Sequence, residues 1–372
     1  MEKKIGILTS GSDSPGLNAA IRSIGKGLLS QGKATMLGFQ DGFKGLMENN
    51  FTTFTPDLLS GILTTGGTIL GTSDDVFANM GNEILQEITD KALQVFREHQ
   101  LDALICLGGK KTQEFAFELS KKGVNIITLP KSIENNVYGT DQTIGFDTAW
   151  TVAAEAVDRL HSTAYSHHRI IIVEIMGKYT GWLTLGAGIT GGADVILIPE
   201  IPYDLDIISN AIIKRNKAGK RFSIIAIAAG AISKDIITFI DRSRKLSNDS
   251  KTGLAKEMAE DRLSKIRWDY KDNTILLANQ LEKQTGLDTR VSILGYLLRG
   301  GVPSAGDRML ATRMGTACAN LIMKNKSGVM VALRNGQITD ISLSEVVNKN
   351  RSVPLDHDWI LSAKSVGTCM GD

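Results

Sequence analysis

The chain has 372 residues, of which 42% are hydrophobic and 22% are charged, values typical of a globular protein. Lys and Arg total 42 and Asp and Glu total 40, so the formal charge is +2. Neither nucleic-acid binding nor a disordered acidic tail is expected at this balance. The chain enters a strand-like run without a signal-peptide pattern, and no apolar stretch reaches the roughly 18–20 residues that span a bilayer. We expect a cytoplasmic protein that does not contact membranes.

Short apolar runs without polar alternation recur along the chain, a pattern typical of parallel strands covered on both faces. Segments of helix length lie between them, including 17–29, 84–98, 115–122 and 148–163. This alternation predicts an α/β fold with mainly parallel sheets covered by helices. The predicted strands are residues 4–8, 34–39, 102–107, 124–129, 170–176, 195–198, 222–228, 291–294 and 329–333.

Residues 241–271 differ in composition from the rest of the chain. They hold nine basic and six acidic side chains and few large apolar ones. We interpret this segment as an exposed charged insertion, with a docking surface for a partner as the alternative.

Two glycine-containing turns follow predicted strands. One is residues 9–18, and the other is residues 108–112. Ligands of parallel α/β sheets bind beyond the carboxyl ends of the strands, and glycine lets a phosphate group approach the backbone at a helix start. Structural turns also use Gly, Ser and Asp, so a single turn of this kind decides little. The two turns together favour a phosphate-containing ligand.

Seven segments of the sequence occur in a characteristic order: TSGSDSPGLNAAIR, GGTILGTS, LGGKKT, PKSIENNVYGTDQTIGFDTA, HHRIIIVEIMGKYTGW, GGADVILIPEIP and TRVSILGYLLRGGVPSAGDRMLATRMG. They make the sequence similar to the phosphofructokinase family, in particular to its pyrophosphate-dependent or mixed-donor branch. This resemblance implies a two-lobed α/β fold with the active site between the lobes. Residues 1–372 would form one such domain, with a donor-phosphate lobe of about 1–138 plus part of the C-terminal region and a sugar-phosphate lobe of about 139–305.

The catalytic segment departs from the pattern of the active members that it resembles. Their Thr-Ile-Asp-Asn-Asp run contains the aspartate that accepts the proton of the sugar 1-hydroxyl, and here the run begins at Ser132. Glu134 stands at the position of that base, with a side chain one methylene longer. Asn136 replaces a second aspartate that helps to hold Mg²⁺, and a neutral amide is a poorer ligand for this ion.

The donor-phosphate segments also depart from the family pattern. Lys110 and Lys111 stand where active relatives carry the acidic residue that lies close to Mg²⁺, and a cation there repels the metal. Asp74 aligns with an arginine that steadies the transferring phosphate, which reverses a charge. Lys131 matches the pyrophosphate-type Pro-Lys-Thr. The resemblance assigns to the donor phosphates Gly11, Ser12, Asp13, Asp74, Gly108, Gly109, Lys110, Lys111, Thr112 and Lys131.

Three arginines match those that surround the sugar 6-phosphate in the family, partly contributed by a neighbouring subunit. Met-Gly-Arg of the family becomes Met-Gly-Lys here, a sugar-binding glutamate becomes Ala229, and a histidine becomes Tyr296. Each arginine could instead form an ordinary surface ion pair. The predicted sugar-phosphate residues are Arg169, Met176, Gly177, Lys178, Ala229, Arg290, Tyr296 and Arg299.

Two functional hypotheses follow from these departures. In the first, the chain is a homologue with a degraded donor and Mg²⁺ site that acts as a regulatory subunit or as a sensor of fructose 6-phosphate or a similar molecule. In the second, it is an active 6-phosphofructokinase-type phosphotransferase that uses Glu134 as base and a pyrophosphate or ATP donor. A metal site is not predicted, and Mg²⁺ would be a cofactor only in the second case. Partners would be further copies of the chain or an active paralogue.

Overall fold

The structure is a computed structural model that describes residues 2–30, 34–73, 82–238 and 273–372. It consists of two compact units. The first comprises Met1–Ala149 and Tyr296–Arg351, and the second comprises Trp150–Gly295 and Ser352–Asp372. The boundary at residue 149 lies 11 residues beyond the predicted lobe boundary at about 138, and the last 21 residues belong to the second unit. Asp74 and the charged segment 241–271 lie outside the described residues.

Strands and helices alternate along most of the described chain. The strands are β1 Lys3–Ser10, β2 Ala34–Phe39, β3 Phe51–Thr53, β4 Ala103–Gly108, β5 Ile126–Pro130, β6 Ile170–Ile175, β7 Val195–Leu197, β8 Ser223–Ala228, β9 Thr289–Ile293, β10 Val329–Arg334 and β11 Gln337–Ser342. The helices are α1 Leu17–Leu29, α2 Phe43–Met47, α3 Asn82–Glu98, α4 Lys110–Lys121, α5 Phe146–His167, α6 Trp182–Thr190, α7 Leu205–Lys217, α8 Asn273–Thr285, α9 Ala305–Met323, α10 Leu343–Val346 and α11 Asp358–Ser365. Short 3₁₀ helices occur at Ile62–Thr64 and Gly295–Arg299.

The first unit contains a sheet with the strand order β11-β10-β5-β4-β1-β2-β3. Its pairs are parallel except at the two edges, where β3 and β11 run antiparallel to their neighbours. Neighbouring side chains of β1 pack on opposite faces of the sheet, because a strand projects alternate residues to opposite faces. Ile5 and Ile7 pack with buried side chains of α1 and α9, whereas Leu8 packs on the other face with buried side chains of α3 and α4. Helices therefore cover both faces of this sheet.

The second unit contains a fully parallel sheet with the order β7-β8-β6-β9. Alternate residues of β6, including Ile170 and Ile172, pack with buried side chains of α7 and α8. The predicted α/β class with mainly parallel sheets is confirmed, and each predicted strand overlaps an observed one. The predictions did not include β3 and β11, because short antiparallel edge strands carry no long apolar run.

Candidate functional site

Three chain turns meet at the carboxyl edge of the first sheet. The register pairs Ser10 with Gly108 and Gly108 with Pro130, so β1, β4 and β5 end at the same level. The turns that follow these strands contain most of the residues predicted to bind donor phosphates. Parallel strands place their ligands at this edge.

The turn after β1 is joined to the turn after β5 by a lysine. Lys131 is 4% exposed, and its ammonium group donates a hydrogen bond to the carbonyl oxygen of Ser12. A Cβ atom on Gly11 would lie 3.6 Å from that ammonium group. Gly16 begins α1 with a φ of 94°, and a Cβ there would approach a methyl group of Ile144 to 2.8 Å. A side chain at Gly16 would therefore be strained in both backbone and packing.

The turn after β4 is shorter than the sequence suggested. We predicted a turn over residues 108–112 and a helix from 115, but α4 begins at Lys110. Lys110, Lys111 and Thr112 therefore form the first helical turn, directly beyond the strand. Glycine is needed at 108, because a Cβ atom there would lie 2.1 Å from the hydroxyl oxygen of Thr112. The N-cap residue of α4 is Gly109, which has no side chain to cap the helix.

The turn after β5 holds the three residues predicted to be catalytic. The side-chain amide of Asn136 donates to Oε2 of Glu134 at 3.2 Å, and its oxygen accepts from the Ser132 hydroxyl at 2.7 Å. The Ser132 hydroxyl oxygen in turn accepts from the backbone N–H of Glu134 at 3.1 Å. The structure thus brings Ser132, Glu134 and Asn136 into one closed network. Glu134 is only half-buried, so its carboxylate remains accessible to a ligand.

The segment 65–73, which contains the family-like GGTILGTS run at 66–73, is fixed beside these turns. Asn18 donates to the carbonyl oxygens of Thr65 and Gly66, both at 3.1 Å, and accepts from the N–H of Ile69 at 2.8 Å. The hydroxyl of Thr9 donates to the carbonyl oxygen of Gly71 at 2.7 Å. Asp13 is half-buried in the preceding turn.

Sequence reasoning did not single out Asp307, which organises the start of two helices. Its carboxylate accepts from the N–H groups of Gly145 and Thr148, at 2.9 and 2.8 Å, and from the Thr148 hydroxyl at 2.5 Å. Desolvation by burial raises the pKa of the Asp307 carboxyl to about 6, and these hydrogen bonds oppose that rise. A lone aspartate in the first turn of a helix resembles an ordinary cap, so the sequence carries little signal for this role.

The second unit brings together part of the predicted sugar-phosphate set. The N–H of Ala229 donates to the carbonyl oxygen of Ile175 at 2.9 Å, and the N–H of Gly230 donates to that of Gly177 at 3.0 Å. The segment from Met176 to Lys178 therefore lies beside Ala229, at the carboxyl ends of β6 and β8. Lys178 is exposed, with its ammonium group 5.2 Å from the ring centroid of Tyr179.

Arg169 and Arg290 lie at the opposite end of this sheet. They precede β6 and begin β9, and both form ion pairs with Asp288. The six residues of β6 separate them from Met176 by roughly 20 Å along the strand. One chain therefore does not gather all of these residues around one ligand. Tyr296 and Arg299 belong to the first unit, where the guanidinium carbon lies 5.3 Å from the tyrosine ring centroid.

The side chains of the donor-side turns are a poor match for Mg²⁺, the metal that the resemblance implies. This ion takes oxygen ligands in near-octahedral geometry, and carboxylates are its usual protein ligands. Here ammonium groups stand at 110 and 111 and a neutral amide at 136. Within residues 2–30, 34–73, 82–238 and 273–372, no three His, Cys, Asp or Glu side chains form a group that could hold a metal ion. The same part of the chain contains no helix long and apolar enough to cross a membrane.

The fold and its glycine-containing turns place the chain in the class of doubly wound α/β proteins whose turns are suited to phosphate groups. The phosphofructokinase family model matches residues 4–322, and the chain therefore belongs to the phosphofructokinase family. It is 49% identical to the ATP-dependent 6-phosphofructokinase of Propionibacterium freudenreichii, with all of both chains covered. It is 44% identical to the ATP-dependent 6-phosphofructokinase of Spirochaeta thermophila, with 100% of this chain and 98% of that protein covered.

Solved structures show the same fold. Phosphofructokinase of Pichia pastoris in the T-state matches with a TM-score of 0.76 and 28% identity, over 93% of this chain and 35% of that chain. This chain thus spans about a third of the Pichia protein. The pyrophosphate-dependent phosphofructokinase of Marinobacter aquaeolei matches with a TM-score of 0.76 and 19% identity, over 99% of this chain and 88% of that chain, a likeness of fold alone.

Proposed function

We propose that this chain transfers a phosphoryl group from ATP to the 1-hydroxyl of fructose 6-phosphate, with Glu134 as the general base. The observation that carries this proposal is the network around Glu134, in which Asn136 and Ser132 fix a half-buried carboxylate beside the donor-side glycine turns. The choice of ATP and of the sugar is supported by the names of full-length relatives at 49% and 44% identity.

The chemistry assigns a separate task to each group of residues. Glu134 accepts the proton of the sugar 1-hydroxyl as its oxygen attacks the terminal phosphorus of ATP, and the bond from that phosphorus to the leaving ADP oxygen breaks. The products are the 1,6-bisphosphate and ADP, and the proton remains on Glu134. Gly11 and Gly109 leave room for phosphate groups near the backbone, since a Cβ atom at either position would meet nothing closer than 3.5 Å. Met176 to Lys178 and Ala229 would contact the sugar.

Arg169 and Arg290 fit this scheme as contributors to the site of a neighbouring copy. They lie together on Asp288, at the end of the second sheet that is remote from Met176. An arginine that serves its own chain's sugar site would have to lie at the other end. We therefore propose a homo-oligomer in which the two arginines bind the 6-phosphate held mainly by another subunit.

Turnover by the purified chain tests the proposal. Formation of the bisphosphate from ATP and fructose 6-phosphate is expected, and Glu134→Gln should lower kcat by about 10²–10⁴-fold, the usual contribution of a general base. Glu118→Gln, near the far end of α4, removes a half-buried carboxylate that pairs with Lys121 and should leave kcat unchanged. A wild-type chain without turnover, or equal rates for both variants, would refute the assignment.

A non-catalytic sugar-phosphate-binding subunit is the second candidate, favoured by the lysines at 110 and 111 and the amide at 136. It would assemble with further copies or with an active paralogue. In that case fructose 6-phosphate should raise the thermal unfolding temperature although no product forms. Lys110→Glu, Lys111→Asp, Glu134→Asp and Asn136→Asp combined should then create turnover together with Mg²⁺ binding.

A further inference from the structure

The donor-side turns of the first unit contain three ammonium groups, and two of them stand at the start of α4. Lys110 and Lys111 occupy the first turn of α4, and the buried ammonium group of Lys131 lies on the carbonyl oxygen of Ser12. Lys110 has a loose partner of its own, the carboxylate of Glu114 at 3.8 Å, with both side chains about one-third exposed. Lys111 is exposed at the helix start.

Among the described residues, the acidic side chains of these turns do not form a group that could hold a metal ion. Asp13 lies in the turn after β1, and the Glu134 carboxylate accepts a hydrogen bond from Asn136. A divalent cation at the start of α4 would meet two ammonium groups and the positive end of the helix dipole, all of which repel it. The same features attract a phosphate anion, and an ammonium group binds phosphate as a point charge.

We propose that this chain binds the phosphate chain of its donor without a divalent cation, because Lys110 and Lys111 supply the positive charge that Mg²⁺ supplies elsewhere in the family. The inference rests on the proposed function, since it concerns the donor of that reaction. The ligand class is a diphosphate or triphosphate anion. Gly109, the N-cap residue of α4, has no side chain that would keep such an anion from the backbone.

Calorimetric titration of the full chain tests this inference. ATP and inorganic pyrophosphate are titrated separately, in EDTA and again in millimolar Mg²⁺. Binding in EDTA is expected, and Mg²⁺ should leave the dissociation constant unchanged or raise it, because the metal neutralises the phosphates that the lysines bind. Added salt should weaken the EDTA binding through screening.

Charge-changing variants identify the groups responsible. Lys110→Glu with Lys111→Asp should weaken binding in EDTA by about tenfold or more, the loss expected for one or two charge-assisted hydrogen bonds. The same variant should regain affinity when Mg²⁺ is added. Lys26→Glu with Lys324→Glu makes the same change in net charge at two exposed helix ends, and it should bind like the wild type. Lys110→Ala and Lys111→Ala provide the same test without charge reversal if the double variant unfolds.

The outcomes distinguish a failure of the inference alone from a failure that also affects the proposed function. Donor binding that requires Mg²⁺ overturns the inference and leaves phosphoryl transfer intact. Absence of donor binding in both media overturns the inference and the donor half of the proposed function together. Equal loss in the Lys26 and Lys324 control also overturns it, because the effect would then be one of net charge.

Discussion

The side chains at 134 and 136 are best understood as a matched pair. A glutamate reaches one methylene further than the aspartate of active relatives, and the neighbouring residue is an amide that donates to it at 3.2 Å. An aspartate at 136 could still accept from the Ser132 hydroxyl, but it would place a second negative charge beside Glu134. The two departures from the family pattern therefore compensate each other.

Asn136→Asp tests this pairing through the pH dependence of the rate. A second carboxylate disfavours ionisation of Glu134, so the acidic limb of the kcat profile should move to higher pH by about 1 unit. Asn136→Ala removes the hydrogen bond without adding charge, and it should lower kcat without moving the limb upward. Initial rates measured from pH 5 to 9 compare the three proteins. Superimposable profiles for the wild type and Asn136→Asp would contradict the pairing.

At the scale of elements, one buried carboxylate connects the starts of α5 and α9. Asp307 lies in the first turn of α9 and accepts three hydrogen bonds from Gly145 and Thr148 at the start of α5. The Ser304 hydroxyl, which caps α9 by accepting from the N–H of Asp307, donates to Asp147 at 2.5 Å. The loop that carries Glu134 and Asn136 therefore continues into a helix whose start is fixed from two sides.

Asp307→Ala should destabilise the fold at neutral pH, because the N–H groups of Gly145 and Thr148 and the Thr148 hydroxyl would lose their buried acceptor. The expected loss in the free energy of unfolding is about 1–3 kcal/mol, the cost of leaving buried donors unsatisfied. Urea denaturation at pH 7 measures this loss. Asp358→Ala, on the exposed first turn of α11, is the control and should change stability little.

The pH dependence of stability provides a second readout for Asp307. Its pKa is about 6 in the folded state and near 3.9 when unfolded, so the folded chain binds more protons between these values. The contribution of this group to stability therefore falls as pH rises from about 4 to about 6. Asp307→Asn should remove that fall. An unchanged slope of unfolding free energy against pH would show that Asp307 ionises normally in the fold.

At the scale of the whole molecule, the positions of Arg169 and Arg290 are the basis of the proposed homo-oligomer. The two arginines share Asp288 at one end of the second sheet, and Met176 to Lys178 follow the other end of β6. If a neighbouring copy uses the arginines, two chains that are inactivated by different substitutions should regain activity when they assemble together. A site composed of one chain's Glu134 and the other chain's arginines would be intact.

Complementation between variants tests this arrangement. Glu134→Gln chains and chains with Arg169→Ala and Arg290→Ala should each have little activity. Co-expressed chains should recover about a quarter of the wild-type rate if they pair at random as two-fold dimers, since half of the dimers are mixed and each contains one intact site. The two variants mixed after separate assembly are the control. Failure of the co-expressed pair to recover activity would place the arginines outside the neighbour's site.

The sequence determined the parts of this protein that depend on local pattern. Buried parallel strands show as short apolar runs, and glycine turns at 11–16 and 108–109 mark the edge where a phosphate group can approach the backbone. Residue types at 110, 111, 134 and 136 already showed that the donor side differs from the family pattern.

Tertiary structure decided which of these residues act together. Helix α4 begins at Lys110 because Gly108 lets Thr112 approach the strand end, a contact that periodicity does not encode. The separation of Arg290 from Met176 follows from strand direction and register in the second sheet. Likewise, Asp307 meets Thr148 across 159 residues of sequence. Local propensity has no access to such contacts, because their free energy exists only when the chain has folded.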